Sequence, residues 1–291
     1  MKDLTRAIMV IVLTVFGVHA LAYKLISVLP ESSVIALGIF SAQDSAVEGF
    51  RTSLQLRTYP EILYDLFKFD LGTTLDRVSV ISEIVKAFGQ SLPRIILASI
   101  FVIVTGTMAG LYAHENERRP WADKWVVFGI FMPSFFLPLI IFSLLILTGI
   151  IAYSYEGAFG LWIGCTITIA VPPMLLIFNQ SNLVMRRLLN QPFSLRYRSI
   201  GLTEKKVRLK LLRNMADEIG PTFEKLISAM LTHVILAETI FGLKGIGSLT
   251  VRAVRRTDVN LLLGVVLLFS LIIGLLRVSS VLLRVRNRGW R

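Results

Sequence analysis

Along the 291 residues, long apolar runs alternate with shorter polar and charged stretches. A helix needs ~20 mainly apolar residues to cross the hydrocarbon core of a bilayer. Six runs reach that length: Ala7–Leu29, Ser91–Ala113, Trp125–Tyr153, Phe159–Phe178, Thr222–Gly242 and Leu261–Leu283. Between Leu261 and Leu276, thirteen residues are Leu, Ile, Val or Phe. At about −0.3 to −0.6 kcal/mol each near the span centre they favour insertion by about 4 to 8 kcal/mol, against at most ~3 kcal/mol for Arg277. The first run follows Met1–Arg6 with no clean small-residue cleavage site, so it reads as an uncleaved span rather than a signal peptide. The pattern predicts an all-α polytopic membrane protein with six transmembrane helices.

Composition agrees with this. Hydrophobic residues make up 54% of the chain, charged residues 17%, and the mean hydropathy is +0.70. A soluble domain carries about 25% charged residues, so a bilayer must supply part of the apolar surroundings. The net charge of +12 is concentrated in particular loops. The segment Gln180–Gly220 holds nine basic residues, and the tail adds Arg284, Arg286, Arg288 and Arg291. Pro30–Gln90 has five basic against eight acidic residues. By the positive-inside rule the basic loop, the tail and both termini are expected on the cytoplasmic side. Lys244, Arg252, Arg255 and Arg256 then fall outside and oppose the count locally. Residues 1–90 are read as the first span plus an extracytoplasmic segment with one or two short helices, and 91–291 as a five-helix core. Pro93 suits the start of the second span. No soluble basic domain is present to bind nucleic acid.

The stretch Arg196–Pro221 carries the clearest local signals. Thr203 stands where a helix N-cap would, Glu204 lies in the first turn, and Leu202 and Val207 have the spacing of a hydrophobic staple. Glu204 and Arg208 form an i,i+4 pair on paper, Gly201 permits a sharp reversal, and Gly220-Pro221 ends the segment. These features describe a short, capped, basic helix between spans four and five. Local chemistry alone favours a solvated loop whose charges merely anchor topology.

A family resemblance bears on that choice. Ser199-Ile200-Gly201-Leu202-Thr203-Glu204-Lys205-Lys206-Val207 resembles the second half of the cytoplasmic Ala-x-x-x-Gly-Leu-Ser-x-x-x-Val loop of permease subunits in ABC importers of the dipeptide/oligopeptide class. Ala237-Glu238-Thr239-Ile240-Phe241, then Gly245-Ile246-Gly247, then Arg256-Thr257-Asp258 resembles the Glu-Thr-x-Phe…Pro-Gly-x-Gly…Arg-Asp signature of that family. Phe69-Asp70-Leu71-Gly72-Thr73-Thr74 is similar to its Asp-Leu-Gly-x-Ser segment, and Met132-Pro133-Ser134-Phe135 to its Ile-Pro-x-Phe. Pro192, Arg196 and Tyr197 replace the residues that usually open the cytoplasmic loop, and Lys244 stands at the proline of Pro-Gly. The resemblance implies a type I importer permease fold in a bacterial inner membrane. It implies a second homologous permease, two cytoplasmic ATPases and an extracytoplasmic peptide-binding protein as partners. The ATPases would dock on a coupling loop at about 180–220, through Ser199, Gly201, Leu202, Thr203, Glu204, Lys205, Val207 and Arg208. No cofactor is implied for this chain; ATP and Mg would sit on the partner subunits.

The remaining candidates read as structural. Glu238 either lines a path or caps backbone amides or pairs with Arg252 or Arg255. Gly245 and Gly247 suit a tight turn requiring φ > 0, and Phe241 belongs to the same block. Asp258 caps the last span or pairs with Arg255 or Arg256. Pro133 and Pro138 are candidates for a kink in span three. His233 suits an interhelical hydrogen bond better than a proton relay. The three histidines and single cysteine lack metal-ligand spacing, and neither a G-x-x-x-x-G-K-[ST] nor a G-x-G-x-x-G motif occurs. A secondary transporter or channel is the rival class, although few ionisable residues fall in the spans and no internal repeat is evident. A membrane enzyme would need a catalytic constellation that the sequence lacks.

Overall fold

The computed structural model describes residues 2–28, 59–68, 70–112, 129, 132–149, 159–256 and 258–288. Parts of the expected outer segment (29–58 and Phe69), of span three (125–128, 130–131 and 150–153), Thr257 and Arg291 lie outside the described residues. The described chain is helical, with one isolated antiparallel bridge, Thr73 to Ser79. In chain order the helices are α1 (Lys2–Val28), α2 (Tyr59–Phe67), α3 (Val80–Leu111), α4 (Phe136–Leu147), α5 (Phe159–Leu189), α6 (Pro192–Ser199), α7 (Glu204–Ile219), α8 (Phe223–Ile240), α9 (Ile246–Arg255) and α10 (Val259–Arg288). Among the described residues, three stretches are long and apolar enough to cross a membrane: Val80–Leu111, Phe159–Leu189 and Val259–Ser279.

Two helices, α3 and α5, extend eleven residues beyond an expected bound (80 against 91, and 189 against 178), for the same reason. The buried positions Val80, Ile84, Ala87, Ser91, Arg94, Ala98 and Val102 fall three or four apart, so α3 presents one continuous stripe beginning eleven residues before Ser91. Pro93 is therefore interior rather than a helix start. It removes the amide that would reach the Gly89 carbonyl, but both residues lie on the exposed face. Span four does not stop at Phe178. Its stripe continues through Ser181, Val184, Met185, Leu188 and Leu189, and α5 follows it through Pro172-Pro173 to Leu189. A packed partner, rather than the bilayer, sets where that helix ends. Pro138 does not kink α4, and Pro133 lies before that helix, close to residues of span three outside the described ones. The Pro133 carbonyl accepts from the Phe136 amide, and Pro138 occupies the first turn, where no amide donor is required.

The chain divides into two compact units, Met1–Leu92 with Gly242–Val278, and Pro93–Phe241 with Ser279–Arg291. In the first, Val259 and Leu263 of α10 pack with Ala22 and Tyr23 of α1 and Ile62 of α2. Tyr59 sets its ring against His19 and Tyr23 and donates its hydroxyl to the Phe16 carbonyl. Gly264 lets α10 approach α3 closely: a Cβ there would stand 2.7 Å from Val80 Cγ1 and 2.8 Å from Ile84 Cδ1. In the second unit the core joins Val102, Ile177, Val184, Met185, Leu188, Leu189, Val207, Leu211, Met215, Ile219 and Leu226. Gly106 and Gly110 of α3 admit Ile177 and Met215 respectively, and Gly164 of α5 admits Leu145 and Phe241.

Candidate functional site

The segment around Gly201 is built by local backbone chemistry. Pro192 opens α6 at a position where a missing amide costs nothing. At the other end Gly201 takes φ +82, a left-handed conformation that glycine adopts without a Cβ penalty. The Gly201 amide donates to the Arg198 carbonyl and the Leu202 amide to that of Tyr197. This is the paired bonding of a Schellman cap. Its usual apolar contact is supplied by Leu202 and Tyr197, which both pack against the core of the second unit. The chain then enters α7, whose buried residues Val207, Leu211, Met215 and Ile219 recur at every fourth position. The expected staple holds, since Leu202 and Val207 share one cluster.

Other expectations for this segment are corrected. Thr203 occupies the N-cap position with an extended backbone, but its hydroxyl makes no capping bond. The Glu204 carboxylate does not reach along its own helix to Arg208; it turns back to Arg198 at 2.7 Å. Arg208 instead donates to the Leu111 carbonyl near the end of α3, at 3.0 Å. Gly220-Pro221 does end α7, at Ile219 as expected, but without a chain reversal. Gly220 keeps right-handed helical angles, and a single 3₁₀ turn (Gly220–Thr222) leads directly into α8. Ser199, Lys205 and Lys206 are exposed, and Lys210 stacks its ammonium over the Tyr197 ring at 5.0 Å.

The Glu238 block resolves into two arrangements, one in each unit. In the second unit Glu238, completely buried, pairs with Arg94 at 3.0 Å rather than with Arg252 or Arg255. Cys165 is buried close enough to Arg94 and Glu238 to feel both charges. Phe241 follows on the same helix end and meets Phe142 edge to face at 5.5 Å. His233 Nδ1 lies 2.7 Å from the Ala229 carbonyl, so the bond it makes is within its own helix, not between helices.

In the first unit Asp258 caps α10, as one of its two readings proposed. Its Oδ1 accepts the Leu261 amide at 3.1 Å and its Oδ2 accepts the Leu75 amide at 2.9 Å. The second bond ties the cap to a tight hairpin that starts at the Asp70-Leu71-Gly72 segment. There Asp70 accepts from the Gly72 amide, Gly72 has φ +76, and Arg77 at the tip has φ +58. Asn260 donates to the Thr73 carbonyl at 2.9 Å. Arg256 pairs with Asp76 at 2.7 Å, and Arg252 pairs with Glu83. The left-handed glycine expected at 245 or 247 is Gly242 instead, at φ +66. Gly245 is extended and caps α9 with the help of Ser248, while Gly247 lies inside that helix. The Ile246 amide donates to buried Ser91 at 2.8 Å.

Sequence reasoning missed Arg94, Glu83 and Asp76 as partners, because nothing local marks them. It also missed that the Asp70–Thr74 and Arg256–Asp258 motifs are halves of one structure.

Residues 103–287, well over half the chain, match the family described as the inner membrane component of binding-protein-dependent transport systems. Among curated relatives, the oligopeptide transport system permease protein OppB of Mycobacterium tuberculosis is 25% identical over a match covering 66% of each chain. The chain thus spans about two thirds of that relative's length. OppB of Haemophilus influenzae is 26% identical over 71% of this chain and 70% of its own. A putative peptide transport system permease protein of Brucella abortus is 24% identical over 92% and 90%. The chain belongs to the family of inner membrane components of binding-protein-dependent transport systems.

Proposed function

We propose that the chain is one transmembrane permease subunit of an ATP-driven ABC importer for di- or oligopeptides. It crosses a bacterial inner membrane six times with both termini in the cytoplasm. A second homologous permease completes the pathway, an extracytoplasmic binding protein delivers the peptide, and two ATPase subunits bind ATP and Mg. The peptide cargo follows from the names of the relatives, and the orientation from the basic residues of Gln180–Gly220.

One observation carries the coupling mechanism: α6 and α7 are joined by a rigid Schellman turn, and α7 is fused to α5 through a shared core. Phe193 and Leu195 on α6, with Ile200 at its end, are exposed apolar residues suited to an ATPase surface groove. A push on α6 cannot be absorbed at Gly201, because both amides there are bonded and Leu202 is anchored. It passes to α7 and then to α5. Close-packed helices of this kind move as bodies, since cores resist continuous deformation.

The buried pair Arg94–Glu238 is the feature that most favours the rival reading, a secondary transporter. Glu238 stands only two residues before the end of α8, whereas Arg94 lies near the middle of α3. The deciding experiment is a mild-detergent pull-down of the tagged chain with mass spectrometry of stoichiometric partners. The reading expects a P-loop ATPase and a second permease, with the ATPase lost when Gly201→Arg distorts the turn. Recovery of the chain alone, with flux driven by an ion gradient after reconstitution, would sink it.

A further inference from the structure

The site residues that the importer reading assigns to ATPase contact include one that faces elsewhere. Arg208 extends from the first turns of α7 to the Leu111 carbonyl, one of the last acceptors of α3. A helix C-terminus leaves such carbonyls without partners and carries partial negative charge, so a guanidinium is a fitting cap. Packing reinforces the same junction. Gly110 of α3 lies against Met215 of α7 so closely that a Cβ would come within 2.3 Å of its sulfur. One turn earlier, Gly106 meets Ile177 and Ser181 of α5.

The part of α3 that lies in the same unit, from Pro93 on, has a second polar fastening near its other end. Arg94 there holds Glu238 of α8 with both side chains almost wholly buried. The intervening residues Ala98 and Val102 are buried, so this stretch is packed along its length.

We propose that α3 is a second transmission rod. Arg208 makes the end of α3 move with α7, and the Arg94–Glu238 pair delivers that movement to the end of α8. The proposal rests on the importer reading and adds a route to it: motion of the Gly201 segment reaches α8 through α3 as well as through α5. Arg208 and Arg94 are positioning residues that act through the helices they hold. The Leu111 carbonyl requires a donor of the reach that Arg208 has, and Arg94 requires a buried anion.

The test uses the complete complex in proteoliposomes, with peptide uptake and ATP hydrolysis measured on the same preparation. Arg208→Gln is expected to lower the peptide transported per ATP hydrolysed by tenfold or more, with subunits still assembled. Arg208→Lys, which keeps the positive charge and more of the reach than Gln, is expected to restore much of the ratio. An unchanged ratio in Arg208→Gln overturns the proposal. Should that variant fail to assemble, a spin-label pair at Tyr112 and Asn214, both exposed, decides in the parent background. If α3 and α7 move as one, their separation stays constant with and without nucleotide; a nucleotide-dependent change overturns the proposal. A parent complex with no ATP-driven uptake would instead refute the importer reading itself, which keeps the two failures distinct.

Discussion

Arg94 and Glu238 show how burial changes the meaning of a charge. Exposed pairs such as Arg256–Asp76 contribute about 0–1 kcal/mol and are screened by salt. A buried pair is different, because each ion has lost its water and depends on the other. Removing only one partner is therefore far more damaging than replacing both. Arg94→Met is predicted to lower stability by about 3–5 kcal/mol, while Arg94→Met with Glu238→Leu recovers most of that loss. Thermal unfolding of the detergent-solubilised protein measures both. Equal destabilisation by single and double variants would contradict a mutually dependent pair.

At the scale of elements, the legible features were those whose cause lies within a few residues. Gly201 ends a helix because its own φ demands it, Asp258 caps the amide three residues on, and the four-residue stripe of α7 follows its sequence. Helix ends were read from hydropathy, which tracks the bilayer, and this failed where packing continued past it. The stretch of α5 beyond Phe178 contains Asn179, Gln180 and Asn182, polar enough to look like a loop, yet its buried positions keep helical spacing to Leu189. Partner choice was illegible for another reason. The bonds Ser91–Ile246, Glu83–Arg252 and Asp76–Arg256 span 155, 169 and 180 residues, and no spacing rule reaches that far. A local rule even misled, since Glu204 and Arg208 had a suitable i,i+4 spacing but each found a better partner. The α7 stripe itself is open to test. Leu211→Ala is predicted to cost about 2–5 kcal/mol, because that side chain is 1% exposed in the core shared with α5. Leu209→Ala, on the exposed face, should stay within about 0.5 kcal/mol. Similar losses at both positions would mean that α7 does not pack as described.

For the whole molecule, the proposed importer reading has this chain, whose sequence carries no P-loop motif, draw its energy from partner ATPases. The α6–Gly201–α7 segment has an exposed face and a face buried against α5, so under the proposed reading a partner bound to the first would be felt at the second. The family supplies the setting, a transport system with separate components. The most direct measurement is peptide uptake into proteoliposomes holding the purified complex and its binding protein, with ATP and a proton gradient supplied in turn. The importer account predicts accumulation that requires ATP and Mg, persists when an uncoupler collapses the gradient, and is lost with Gly201→Arg. Accumulation driven by the gradient alone, indifferent to ATP and to the Gly201 substitution, would contradict it.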